Sequence, residues 1–285
     1  MSEILNSKEE AGNNSISAKS ALKFVVLLGF VSLFADVTYE GARGITGPFL
    51  ALLGANAAVV GLVAGFGELI GYALRLVTGY LADKTQRYWL LTIIGYAVNL
   101  LAVPLLALAG RWEVAAILMV VERVGKAIRS PARDAILSHA THKLGHGWGF
   151  GLHEFMDQIG AVSGPLIVAA AVYYRNDYRL GFAVLLIPAI AAMGFLITAK
   201  VIYPRPRDFE PVSKSLKGKH FPKTFWLYLV AVGLIAAGYA DFALVGFHIK
   251  KTGIAADSAI PLLYALAMGV DAIAALIFGR LFDRY

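Results

Sequence analysis

The chain has 285 residues, 58% of them hydrophobic and 16% charged, with a mean hydropathy of +0.67 and a net charge of +7. Soluble domains carry about 25% charge, so this composition points away from water-soluble classes, and the absence of cysteine excludes disulfides, thiolate catalysis and Cys-based metal sites. The positive balance does not indicate nucleic acid, because most basic residues lie in loops between apolar stretches, where orientation in a bilayer accounts for them.

Residues 1–20 are polar, with Glu3, Glu9 and Glu10, and lack the basic start of a signal peptide; they read as a disordered cytosolic tail. Eight apolar stretches follow, at roughly 22–53, 57–82, 89–110, 113–138, 148–174, 180–202, 224–250 and 259–281. Each approaches the length of about 20 residues that crosses the hydrocarbon layer as a helix. The runs are continuous rather than alternating, which disfavours a β-barrel. The expected fold is therefore an all-α polytopic membrane protein. Gly41, Gly44, Gly47 and Pro48 are expected to bend or loosen the long first span. With the N-terminus in the cytosol, Arg111, Arg175, Arg179, Lys250 and Lys251 fall outside, Arg43, Arg75, Arg123 and Lys126 fall within spans, and the remaining basic residues fall inside. Residues 204–223 hold Pro204, Pro206, Pro211, Pro222 and several lysines, and read as a cytosolic linker. The implied division is a six-helix bundle over 21–203, the linker, and an incomplete two-helix bundle over 224–285.

Charged residues inside the spans mark the candidate site. Glu122, Lys126, Arg129 and Arg133 share one stripe of span four, with Glu122 spaced to pair with Lys126. Asp36, Glu40 and Arg43 repeat the stripe in span one, Glu68 and Arg75 lie one stripe apart in span two, and His153 and Asp157 share a face of span five with Gly160 and Gly164, Glu154 lying beside them. Asp241 and Asp271 add one acid each to spans seven and eight. A charge turned to lipid at mid-membrane costs about 2.5–3.5 kcal/mol even on insertion scales, so these stripes must face protein or water. Acids outnumber bases at this depth, and an acid in a poorly hydrated cavity is able to exchange a proton near neutral pH. Asp36, Glu68 and Asp157 are the leading proton or cation sites; Arg123 and Lys126 are the counter-charges or anion contacts. A buried Asp36–Lys126 pair tying spans one and four is the alternative structural reading. Tyr39, Phe66, Tyr72, Phe155 and Tyr239 either line an organic pocket or pack, and Trp89, Trp112, Trp148 and Trp226 fall near span ends as an interfacial belt does.

Two loop motifs repeat about 200 residues apart: Gly79-Tyr80-Leu81-Ala82-Asp83-Lys84-Thr85-Gln86-Arg87 and Gly279-Arg280-Leu281-Phe282-Asp283-Arg284. Ala35-Asp36 and Ala240-Asp241 recur at a similar offset. A repeat of this period points to two parallel helical bundles. The first motif resembles the signature of the major facilitator superfamily (MFS) of secondary transporters between its second and third helices. Gln86 stands where that family usually has Gly, so a less tight turn is expected. Gly151, Gly160, Gly164 and Pro165 resemble the helix-five signature of proton-coupled antiporters of the family, and read equally as a helix-packing motif, Gly160 and Gly164 forming a small-residue face. The run from Glu122 to Ala135, with Arg123, Gly125, Lys126, Arg129, Arg133 and Asp134, resembles a prokaryotic branch of drug- or metabolite-efflux type.

The resemblance implies an MFS-type bundle with a solute cavity bordered by Asp36, Glu40, Glu68, Glu122, Arg123, Lys126, Glu154, Asp157, Asp241 and Asp271. It also implies a cytosolic gate of Gly79, Asp83, Lys84, Arg87, Arg129, Arg133, Asp134, Gly279, Asp283 and Arg284. The expected activity is secondary active transport of a small solute by alternating access, as proton-coupled efflux or, alternatively, as uptake by symport. Its partners are a small-molecule solute, protons, the plasma-membrane bilayer and a downstream polypeptide completing the bundle, since the family has twelve spans and this chain ends after eight. A chain so cut short is alternatively a non-transporting scaffold, regulator or remnant. Cofactors and metals are not expected: there is no Walker motif and no His/Asp cluster with ligand spacing. An intramembrane protease would need Ser163 beside His153, and Ser163 is better explained by the packing face, so an enzyme is not expected.

Overall fold

The apolar runs become helices because in lipid only intrahelical bonds satisfy the backbone. The computed structural model describes residues 18–141, 146–205, 223–238 and 240–284, with the backbone alone at 18, 146–148, 236–237 and 275–284. Residues 1–17 of the expected tail, nearly all of the expected linker, Tyr239, the side chains of Trp148, Asp283 and Arg284, and the surroundings of Gly279 lie outside the described residues, while Ala18, Lys19 and Ser20, expected in the tail, already belong to the first helix. The helices are α1 (Ala18–Leu52), α2 (Ala57–Thr85), α3 (Tyr88–Leu105, continued by a 3₁₀ turn Leu106–Leu108), α4 (Trp112–Thr141), α5 (His146–Arg175), α6 (Tyr178–Val184), α7 (Leu186–Ile202), α8 (Lys223–Ala237), α9 (Phe242–Thr252) and α10 (Ala259–Arg284).

Five stretches are long and apolar enough to cross a membrane: Lys19–Leu52, Ala57–Thr85, Tyr88–Leu108, Gly149–Arg175 and Tyr178–Ile202. With several such helices the protein is a multi-pass, all-α membrane protein. α4 is also long, at 30 residues, but the charges along its second half keep it out of that group. Its charged face turns inward, with Glu122 and Arg129 buried.

Local chemistry sets the helix limits. Asn56 caps α2, its side-chain oxygen accepting from the Val59 amide at 2.9 Å. At the other end Gln86 takes the left-handed conformation, φ 59°, and its amide donates to the Ala82 carbonyl. The turn therefore keeps the geometry that glycine usually supplies, correcting the expectation of a looser one; the Gln86 side chain donates to the Asp83 carbonyl and helps hold it. Two expected single spans are broken. α6 and α7 part at Leu185, where Pro188 has no amide to give the Val184 carbonyl. α8 and α9 part at 238–241, where Asp241 becomes the cap of α9, accepting from the Ala243 amide at 2.8 Å. Asp36 and Asp241 thus echo each other in sequence, one inside a helix and the other at a helix start.

α1 runs unbroken for 35 residues through its glycines and Pro48. Gly41, Gly44 and Gly47 are contact points rather than breaks. A Cβ at Gly41 would meet the Gly164 backbone of α5 at 3.1 Å, one at Gly44 would meet Pro261 of α10 at 3.2 Å, and one at Gly47 would collide with the Ala243 carbonyl of α9. The spacing of three winds these points around the helix, so three partners are seated on one glycine spiral. α3 and α4 interlock reciprocally: Gly95 receives Arg129, and Gly125 receives Asn99. At one end of the bundle Trp89, buried rather than interfacial, donates to the Tyr203 carbonyl at 3.0 Å, while the Tyr203 hydroxyl donates to the Ser20 carbonyl at 3.1 Å.

Candidate functional site

A cavity of about 740 Å³ opens between α1, α2 and α4 on one side and α8, α9 and α10 on the other. Glu40 and Arg43 come from α1, Glu68 and Arg75 from α2, Arg123 and Lys126 from α4, Asp241 from the start of α9, and Tyr264 from α10. Five of the expected cavity residues therefore gather there: Glu40, Glu68, Arg123, Lys126 and Asp241.

Arg43 is the hub. Its guanidinium pairs with Glu68, lies 3.5 Å from Glu40 and reaches to 3.9 Å from Asp241. Arg123 lies 3.1 Å from Glu68 and 3.4 Å from Glu122. The Tyr264 hydroxyl donates to Glu40 and ties α10 to α1. Glu68 thus engages two guanidiniums, not Arg75 one stripe away on its own helix. Glu122 likewise does not pair with Lys126; it accepts from the Asn99 amide of α3 at 2.7 Å. Lys126 has no carboxylate within ion-pair distance among the described residues, and its ammonium sits 3.9 Å from the centre of the Tyr39 ring.

A second polar cluster lies between α1, α4 and α5. The Ser32 hydroxyl is 3.2 Å from His153 Nε2 and accepts from Arg133 at 3.0 Å. His153 Nε2 is 3.8 Å from Asp157. Asp36 faces this cluster: it is buried, one carboxylate oxygen lacks a hydrogen-bond partner among the described residues, and its charged neighbours are Asp157, Lys126 and Glu40. The alternative Asp36–Lys126 pair does not form within 4.0 Å among the described residues. Arg129 is fully buried between the rings of Tyr39, at 5.4 Å, and Tyr96, at 4.3 Å, and none of its side-chain nitrogens has a hydrogen-bond partner among the described residues.

Other expected site residues lie apart. Glu154 and Asp271 are exposed and do not line the cavity. Asp83, Lys84, Arg87 and Asp134 are exposed, Asp134 being paired with its neighbour Arg133. The structure does not bring Arg129 or Arg133 to Asp83; both turn into the bundle because their stripe on α4 faces α1 and α3. Gly79 packs near Pro131 of α4. Of the helix-five residues, Gly160 and Gly164 meet the α1 backbone at Leu33 and Val37, Pro165 continues the helix beside them, and Gly151 has nothing within 4 Å of its Cβ position among the described residues.

Sequence reasoning passed over Arg43 as a site residue, together with Ser32, Tyr96, Asn99 and Tyr264. Asn99 carried a signal, being polar between the apolar Val98 and Leu100. Tyr264 carried none, since only the fold sets it opposite Glu40.

Long apolar helices enclosing a charged cavity define a polytopic membrane protein with an internal polar chamber. The sequence matches the profile of the Major Facilitator Superfamily over residues 26–285, and the chain belongs to that superfamily of membrane transporters. An uncharacterised protein of Mycobacterium tuberculosis is 44% identical over 275 residues, covering 94% of this chain and 67% of that one. An uncharacterised MFS-type transporter of Methanocaldococcus jannaschii is 29% identical across 76% of this chain and 54% of its own length. A multidrug resistance protein, MdtH, of Proteus mirabilis is 24% identical across 73% of this chain and 49% of that one. Among solved structures, a bacterial homologue of the human drug peptide transporters PepT1 and PepT2 superposes with a TM-score of 0.58 at 17% identity, covering 92% of this chain and 57% of that one. This chain spans about half to two thirds of the length of these proteins.

Proposed function

We propose that the chain carries a small solute across the plasma membrane by alternating access, coupled to protons and directed outward. The observation behind this is the cavity of about 740 Å³, walled by two sets of helices and closed by few polar ties. Its volume suits a small organic molecule. In this reading residues 21–203 form one bundle, 224–285 the start of a second, and 204–223 the cytosolic linker, with the N-terminus cytosolic. Rocking of the second set against the first exposes the cavity to alternate faces. The Glu40–Tyr264 bond and the Arg43–Asp241 contact cross this divide and break in the motion. Asp83, Lys84 and Arg87, with Gly279, Asp283 and Arg284, sit at the cytosolic face as the gate.

Protons bind behind the cavity wall, at Asp36 and Asp157. Asp36 faces Lys126 of α4 and Asp157 of α5, while His153, Arg129 and Arg133 surround Asp157. Lys126 borders both regions, so a proton on Asp36 alters the field that a solute meets at Lys126. Such titration drives the cycle when its affinity differs between the two arrangements. The close α1–α5 contact at Gly160 and Gly164, and the name of the Proteus mirabilis relative, support export.

The test is solute-elicited proton movement in proteoliposomes holding an internal pH dye, with the full chain compared with Asp36→Asn and Asp157→Asn. At least one solute is expected to elicit proton movement opposite to its own, reduced about tenfold or more in Asp36→Asn. Identical leak in parent and variants with every solute would sink the coupled-carrier reading. Proton and solute moving together would turn it into symport.

A further inference from the structure

We infer that the cavity takes an organic anion, a small carboxylate or phosphate ester, held by Lys126 and Arg75. This rests on reading the cavity as the solute site. The acids of the wall are already engaged. Glu40 has Arg43 and the Tyr264 hydroxyl, Glu68 has Arg43 and Arg123, and Asp241 caps α9 while facing Arg43. Those contacts in turn give Arg43 and Arg123 carboxylate partners, although Arg43 Nε, like Arg75 Nε, is buried without a hydrogen-bond partner among the described residues. Two cations remain. Lys126 rests on the Tyr39 ring at 3.9 Å, and the Arg75 guanidinium lies 4.8 Å from the centre of the Tyr72 ring. Neither has a carboxylate within 4.0 Å among the described residues, and Arg75 Nε is buried without a hydrogen-bond partner.

Both cations border the same cavity from different helices, α4 and α2. A tyrosine face offers a cation only part of what an oxyanion offers, and no hydrogen-bond acceptor oxygen. An anion entering between them supplies acceptors to both: a guanidinium presents a planar fork to a carboxylate or phosphate, and an ammonium presents a point charge. A cation would meet two cationic groups that no carboxylate pairs directly among the described residues, and a neutral solute would leave both donors as they are. The far wall is apolar and aromatic, with Val232, Ile235, Phe242 and Met268, and has room for the organic part of such an anion. The occupant is thus amphipathic, charged at the α2–α4 side and carbon-rich at the α8–α10 side.

Binding is tested apart from transport. The full chain in detergent micelles is heated with benzoate, citrate or glycerol 3-phosphate, and with tetraphenylphosphonium and glucose as cationic and neutral probes. At least one anion is expected to raise Tm in a saturable way. Its apparent affinity is expected to fall tenfold or more in Lys126→Met and Arg75→Gln, and to recover in part in Lys126→Arg and Arg75→Lys, which keep the charge. The inference is overturned if only tetraphenylphosphonium or glucose shifts Tm, if no anion does at millimolar concentration, or if the charge-removing variants bind the anion as the parent does. Because flux plays no part in this readout, a chain that binds anions without moving them defeats the transport reading alone. A chain that transports but prefers tetraphenylphosphonium defeats the anion assignment alone.

Discussion

Arg129 is fully buried, and its guanidinium nitrogens have no hydrogen-bond partner among the described residues. A guanidinium removed from water loses several kcal/mol of solvation, and two aromatic faces return only about 1–2 kcal/mol each. Replacement by a long apolar side chain should therefore relieve the fold. Arg129→Met is expected to raise the apparent unfolding free energy by about 1 kcal/mol or more, measured by SDS titration, while solute-elicited proton movement falls. A loss of stability in Arg129→Met would show that nearby carboxylates offset the burial of the charge. Asn99 behaves in the opposite way. Asn99→Ala strips the buried Glu122 carboxylate of its 2.7 Å hydrogen bond and should cost about 1.5–3 kcal/mol, the range for hydrogen bonds to charged groups. Glu122→Gln, which keeps an acceptor for Asn99, should cost less; equal losses in the two variants would remove Asn99 from this role. These residues also mark how far the chain could be read without its fold. Helical spacing correctly set Glu122, Lys126, Arg129 and Arg133 on one stripe. It could not foretell what the neighbouring helix brings to that stripe, and Asn99 of α3 outcompetes Lys126 for Glu122 because it approaches across the Gly125 contact, where no Cβ intervenes.

Helices were legible as apolar runs because burial in lipid demands about 20 such residues whatever packs beside them. The breaks at Leu185 and at 238–241 were hidden within those runs, although Pro188, Gly238 and Asp241 carried breaker and capping chemistry that a hydropathy reading averages away. A subtler pairing joins α2 to α4. Pro131 cannot donate to the Ala127 carbonyl four residues earlier. The Thr78 hydroxyl of α2, 2.7 Å from that carbonyl oxygen, is placed to donate in its stead. Neither residue announces the other in the sequence, since 49 positions separate the two ends of the bond. The pairing makes a double-mutant cycle decisive. Thr78→Val should destabilise the parent by about 1 kcal/mol and should do so much less once Pro131→Ala has restored the helical bond. Equal effects of Thr78→Val in both backgrounds, read by SDS titration, would show the cross-helix bond to be idle.

The whole molecule turns on how α9 and α10 seat against α1. The shape of the cavity could not be read along the chain, because its two walls come from segments more than 100 residues apart. What the sequence did hold was the glycine spiral that brings them together, seen there as a source of bending. If the chain alternates access, contacts within the first set of helices should persist through the cycle, and contacts between the two sets should not. Because the chain has no cysteine, engineered pairs can report this without background. A Cβ at Gly79 would lie 3.6 Å from Pro131 Cβ, and one at Gly44 would lie 3.3 Å from Pro261 Cβ; both are near the usual disulfide separation of about 3.8 Å. Gly79→Cys with Pro131→Cys should cross-link at the same rate with or without solute and at either sign of pH gradient. Gly44→Cys with Pro261→Cys should cross-link at a rate that changes at least threefold between those conditions, because that contact opens whenever the α10 side swings away. Rates for the second pair as constant as those for the first would mean that α1 and α10 move as one body. The cavity would then be a fixed chamber, and alternating access would fail for this chain.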